Sequence, residues 1–139
     1  MMDINNIDDR LVRFYVRDGV LVRAVHNPLI RDLAVTTVAG VARGRSYEHR
    51  CDRAAFETVA HALAEVPADG RGTSLCELAR QERLAVTRVD VALAFLKDRG
   101  LVERRRRRCY PASAGGDLYL DAMIEFFALA EAGKEGVEG

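Results

Sequence analysis

The chain has 139 residues, 49% of them apolar, and its 21 Lys+Arg balance 21 Asp+Glu. That is room for one compact domain with a moderate core, or a small module with appendages, and it excludes general disorder and a globally basic field. No apolar run approaches the roughly 18 residues needed to span a membrane.

The start, MMDINNIDDR, is polar and acidic and reads as neither a signal nor a transit peptide. Cys51, Cys76 and Cys109 are odd in number and widely spaced, which argues against a disulfide framework. A cytoplasmic location is the expectation. Basic charge is almost entirely arginine, as in proteins of G+C-rich bacterial genomes.

Residues 1 to 9 read as a loose arm. Val12, Phe14 and Val16 then alternate with Arg13, Tyr15 and Arg17, a period of two that predicts a half-buried strand. Asp18-Gly19 precedes VLVRAV, and a two-residue Asp-Gly between β-rich runs predicts a hairpin whose turn positions both take positive φ. In HNPLIRDLAVTTVAGVARG, Asn27 is a candidate helix cap, with Pro28 at the first position and Gly44 just past the end. The β-branched AVTTV and the internal Gly40 leave a strand as the alternative.

From Asp52 the pattern is helical. Asp52 suits an N-cap, and Phe56, Val59, Ala60 and Leu63 form an i, i+3, i+4, i+7 stripe closed by Pro67 and Asp69-Gly70. Ser74 caps the next helix, Leu75 to Gln81, with Glu77 placed as in a capping box. A third helix runs from about Val86 to Arg99 and stops at Gly100, a left-handed cap. Leu101 to Arg106 read as a strand, with Cys109 to Ser113 as its returning partner. Asp117 to Ala132 read as a final helix. Its apolar surface, including Leu120, Met123, Ile124 and Phe127, is too wide for a monomer, so burial against a second subunit is expected.

The stretch SLCELARQERLAVTRVDVALAFLKDRGLVERR resembles the winged helix-turn-helix of bacterial regulators, in the broad style of the MarR and related families. The likeness is carried by Leu75, Leu78, Ala79, Leu84, Val89, Leu93, Leu96, Gly100, Leu101 and Val102. It covers about half the chain and not residues 1 to 50. It implies an α+β, mainly α fold: a winged helix-turn-helix over 51–113, an N-terminal β-hairpin extension over 1–50, and a C-terminal dimerisation helix over 114–139. It also implies a DNA-binding transcriptional regulator acting as a homodimer on double-stranded DNA, with the third helix in the major groove. The alternative is a winged-helix module that binds protein. Residues 1 to 50 have three candidate roles: dimer surface, small-molecule effector site, or protein-partner surface.

With Val89 at the centre of the buried face, Thr87, Val91, Ala94 and Asp98 fall outward, flanked by Arg88, Asp90 and Phe95. Arg88 and Thr87 suit base or phosphate contact, and Val91 suits a thymine methyl. Asp90 repels phosphate unless paired. Arg83 stands where such turns often carry Gly, and Ala85 where they carry Ser or Thr.

Residues 71 to 110 hold 11 Lys+Arg against 5 Asp+Glu, whereas the remainder to 139 is acidic. The run Arg104, Arg105, Arg106, Arg107 and Arg108 forms the expected wing, suited to phosphates and an A·T-rich minor groove. In a strand, Arg104, Arg106 and Arg108 point one way, and Arg105 and Arg107 the other. A solvated hairpin, and an RNA or acidic-protein contact, are the other readings of the run.

Cys109 follows five cations that favour a thiolate if it is exposed, which makes it a redox candidate beside the plain reading of a strand thiol. Cys76 is expected to pack or sit half-exposed. His49, Cys51 and His61 match no common zinc spacing. No phosphate loop, HExxH or GxSxG motif occurs, so neither an enzyme nor a cofactor is expected.

Overall fold

The computed structural model describes residues 11–27, 45–67, 70–112 and 117–138. The expected arm, the helix-or-strand segment from Pro28 to Gly44, and Ser113 lie outside the described residues.

The chain is α+β. Its described residues form four helices and two small antiparallel sheets. Strands β1 (Leu11–Arg17) and β2 (Val20–Asn27) pair with Arg17 opposite Val20. Asp18 and Gly19 both take positive φ, 55° and 78°, the conformation that matches the right-handed twist of a two-residue hairpin. Burial fades outward along β1, from buried Val16 through half-buried Phe14 to exposed Val12.

A third strand, β3 (Arg45–Asp52), completes this sheet in the order β1-β2-β3. It is absent from the sequence expectations. Over 46–52 only Cys51 is buried, and the run RSYEHRCD carries no apolar alternation. Backbone pairing along the whole of β2, from Val20–Asp52 to Asn27–Arg45, holds it instead. Asn27, expected to cap a helix, is the last residue of β2, its backbone engaged by the ladder.

Asp52 ends β3 and begins α1 (Arg53–Ala64) without a linker. Its carboxylate accepts from the Ala55 N–H at 3.3 Å. Phe56, Val59, Ala60 and Leu63 are fully buried, as their spacing requires. Helix α2 (Leu75–Glu82) starts under Ser74, whose hydroxyl accepts from the Glu77 N–H at 3.2 Å.

Arg83 ends α2 in the left-handed region, φ 58°, with its N–H on the Arg80 carbonyl and the Leu84 N–H on the Ala79 carbonyl. Helix α3 (Val86–Asp98) follows. It stops the same way, with Gly100 at φ 78°, Gly100 N–H to Lys97 and Leu101 N–H to Leu96.

Strands β4 (Val102–Arg105) and β5 (Arg108–Pro111) form a tight hairpin. Thr73 exchanges two backbone hydrogen bonds with Cys109 and so adds a third, one-residue edge to this sheet. Helix α4 (Leu118–Glu138) runs antiparallel to α1: Tyr119 meets His61 near one end, and Phe127 lies under Arg53 near the other.

All five phenylalanines join in one string through the core. Phe14 of β1 meets Phe95 of α3 at 5.5 Å between ring centroids, Phe95 meets Phe56 of α1 at 5.8 Å, Phe56 meets Phe126 of α4 at 5.1 Å, and Phe126 meets Phe127 at 5.6 Å. Such pairs add about 0.5–1.5 kcal/mol each beyond the area they bury. The N-terminal sheet therefore shares one core with the helices, through Val16, Leu21 and Cys51.

Candidate nucleic-acid interface

The residues expected to meet a nucleic acid lie on α3 and on the β4–β5 hairpin, and the structure treats the two places differently. On α3, Val89, Leu93 and Leu96 are buried as expected, but so are Val91 and Phe95, both with no exposed surface. The sheet causes this. Phe14 presses edge-on against Phe95, and Val91 sits one turn earlier on the same side of the helix. Val91, expected at a thymine methyl, is a core residue in this fold and reaches no base. The outward face is narrowed and turned toward Val86, Thr87, Ala94, Lys97 and Asp98.

Two ion pairs tie the sheet to this helix. Arg23 of β2 donates to Asp90 at 3.0 Å, so the acid that would have repelled phosphate is paired. Arg88 lies 3.5 Å from the Asp52 carboxylate, and its side chain remains about half exposed. Thr87 is exposed in the first turn of α3. An open groove of about 660 Å³ separates α3 from the sheet, bounded by Phe14, Val25, Tyr47, Asp90, Ala94 and Lys97, so the helix is not sealed along its length.

The hairpin divides its arginines into braced and free. Arg106 and Arg107 are the two turn residues, with Arg106 at φ 59°, because Arg105 pairs with Arg108 across the strands. The strict alternation expected for Arg104 to Arg108 therefore stops at Arg105. Arg104 donates from Nε to the Arg106 carbonyl at 2.9 Å and braces the turn. Arg105 donates to Glu103 at 2.9 Å, with its guanidinium 4.1 Å over the Tyr110 ring. Arg108 folds back, three-quarters buried, onto Glu77 at 3.1 Å.

Glu77 also serves the capping box, its carboxylate drawing on the Ser74 backbone N–H while its own N–H donates to the Ser74 hydroxyl. Its carboxylate also receives Arg71 at 3.3 Å. Charge-assisted hydrogen bonding from Arg108, helped by the nearby guanidinium charges, holds Glu77 below the ordinary carboxylate range. This network docks the hairpin on the first turn of α2.

Of the 11 Lys+Arg over 71–110, Arg71, Arg88, Arg99, Arg105 and Arg108 have acidic partners, so the excess positive charge stays unpaired. Arg80, Arg83, Lys97, Arg106 and Arg107 are exposed and have no acidic partner among the described residues. Arg80 and Arg83 were not candidate contacts from the sequence, although Arg83 in place of a turn glycine was the available signal. Two of these cations, Arg83 and Arg106, occupy left-handed backbone that glycine adopts at lower cost.

The redox reading of Cys109 required exposure, and Cys109 is buried. Burial pushes its thiol up, against the pull of Lys97 and Arg104. Burial pushes Cys51 up further, to about 12. Cys76, expected to pack or sit half-exposed, is exposed. Among the described residues no group of three or more His, Cys, Asp or Glu could hold a metal ion, and no helix is long and apolar enough to cross a membrane. Comparison with known protein families, curated proteins and solved structures finds no match to this chain.

Proposed function

We propose that α1 to β5 form a winged helix-turn-helix that binds double-stranded DNA, with transcriptional regulation as the role. The observation that carries this reading is the set of unpartnered, exposed arginines at two turns, Arg80 and Arg83 at the α2–α3 junction and Arg106 and Arg107 at the hairpin tip. Arginine side chains that neutralise phosphates release counterions, and a narrow hairpin tip suits a minor groove. Thr87 and Arg88, in the exposed first turn of α3, are the side chains placed for base edges. With Val91 and Phe95 in the core, binding rests on backbone contact, and base reading is sparse.

The test is a titration of the full chain with duplex DNA, random and from upstream of its own coding sequence, at several salt concentrations. Arg106→Ala with Arg107→Ala should weaken binding to all sequences and lower the salt slope by about two. Unchanged affinity would remove the hairpin from the interface. Binding no better than to an unrelated polyanion would remove DNA as the ligand.

One observation favours a second reading, a protein-binding winged helix. The outer face of α3 carries Asp98 and a half-exposed Val86 beside the Asp90–Arg23 pair, a mixed surface unlike a phosphate-facing one. Under that reading the arginine variants retain partner capture from a lysate, and duplex binding stays at the level of random polyanion.

A further inference from the structure

We propose that Asp52 is a positioning residue for Arg88, holding it as a reader of guanine and not as a phosphate contact. The inference rests on the duplex-binding reading above and assigns the part of the duplex that this arginine meets. Arg88 is the only cation in the first two turns of α3. Its Nη1 lies 3.5 Å from Asp52 Oδ1, and the two side chains are 52% and 45% exposed.

Asp52 is held in place without Arg88. It is the last residue of β3, paired in the ladder with Val20 of β2, and its Oδ2 accepts from the Ala55 N–H at 3.3 Å to cap α1. One carboxylate oxygen thus serves the cap and the other faces α3. A half-exposed ion pair of this length is too weak to lock Arg88 away from a ligand. It suffices to bias a long side chain among its rotamers before binding, which reduces the freedom lost on contact.

Charge decides what the pair meets. Arg80, Arg83, Arg106 and Arg107 have no acidic partner among the described residues, and an unpaired guanidinium gains from a phosphate through its charge. The Arg88–Asp52 pair is neutral as a unit, and a phosphate drawn to Arg88 meets the Asp52 carboxylate as well. What the pair retains is the fork of the guanidinium. With Nη1 toward Asp52, Nε–H and the neighbouring Nη2–H remain as two parallel donors. They match two adjacent neutral acceptors, N7 and O6 of guanine in the major groove. Adenine presents one acceptor beside a donor there, so a fork of donors discriminates against it. Through the end of β3, the N-terminal sheet sets the base preference of α3.

The test is selection of duplexes from a randomised double-stranded pool by the full chain. The selected duplex and its single-pair variants are then titrated at several salt concentrations. The wild type should prefer a G·C pair at one position by about tenfold. Arg88→Ala should abolish that preference and leave the salt slope nearly unchanged. Asp52→Asn keeps a good N-cap and removes the charge. It should cut the preference to about threefold or less and steepen the salt slope by about 0.9, as Arg88 turns to a phosphate. Circular dichroism checks folding, and Asp52→Ser, which also caps, takes its place if the asparagine variant unfolds. A G·C preference that is absent from the wild type, that survives Arg88→Ala or that is undiminished in Asp52→Asn overturns the proposal and leaves duplex binding standing. Loss of preference in Asp52→Asn with an unchanged salt slope marks a structural role for Asp52 and overturns it too. A wild type that binds duplex no better than an unrelated polyanion overturns the duplex reading and this proposal with it.

Discussion

The guanidinium of Arg23, on β2, donates to the carboxylate of Asp90, on α3, at 3.0 Å. The pair bridges two elements 67 residues apart in sequence and holds the sheet against the side of the helix. The same guanidinium lies 3.2 Å from His49 Nδ1 on β3, so three elements meet at one cation. Arg23 is mostly buried, whereas nearly half of the Asp90 side chain is exposed.

Removing the acid should therefore cost more than an exposed pair and less than a fully buried one. Asp90→Asn is expected to destabilise by about 1–2 kcal/mol, read from the urea midpoint at constant slope. Arg23→Met should cost less, because it also removes the Arg23 Nε, which is buried without a hydrogen-bond partner. If Asp90→Asn leaves the midpoint in place, the pair contributes nothing to docking the sheet.

Arg83 holds left-handed backbone at the end of α2 with no side-chain partner among the described residues to offset the strain. Arg83→Gly should raise stability by about 0.5–1 kcal/mol, the steric relief being partly offset by glycine entropy. On the proposed function it should also weaken duplex binding. Stability and affinity then move in opposite directions, and a fall in melting temperature would show that the arginine stem packs usefully.

Gly72 has φ 74°, and a Cβ there would lie 2.6 Å from Tyr110 Cζ and 3.0 Å from Arg108 Cβ. Gly72→Ala must push the hairpin away from the loop that carries Thr73. We expect a loss of about 1–3 kcal/mol, together with faster amide exchange at Thr73 and Cys109. Exchange at those two amides no faster than in the wild type would mean that the loop absorbs the methyl without opening the bridge.

The three thiols should separate by reactivity. Cys76 is exposed, whereas Cys51 and Cys109 are buried with thiols pushed up, Cys51 to about 12. The thiolate is the reacting species, so a native sample should label once per chain and a denatured one three times. Rapid native labelling of Cys109, read by peptide mass, would reopen a redox role for the hairpin.

Local chemistry was legible in the sequence wherever its partners lie within a few residues. The Asp18-Gly19 turn, the Asp52 and Ser74 caps, the α1 stripe and the Gly100 stop follow from hydrogen bonds and φ preferences that close over two to five positions. The bounds of α1, α2 and α3 and the place of the hairpin follow from them.

Tertiary structure alone decided three things. It made a strand of RSYEHRCD, whose support is the backbone ladder to β2 and not its own side chains. It turned Val91 and Phe95 inward, because a helix face is outward only if nothing else in the chain covers it, and β1 supplied Phe14. It also sorted the arginines, sending Arg108 to Glu77 and Arg105 to Glu103 and leaving Arg106 and Arg107 at the tip. Charge is countable from composition, but ion pairing depends on which side chains the packed elements bring within a few ångströms. Sequence thus determined the helices, the two hairpins and their ends, and tertiary packing added β3 and determined which faces and charges remain available for binding.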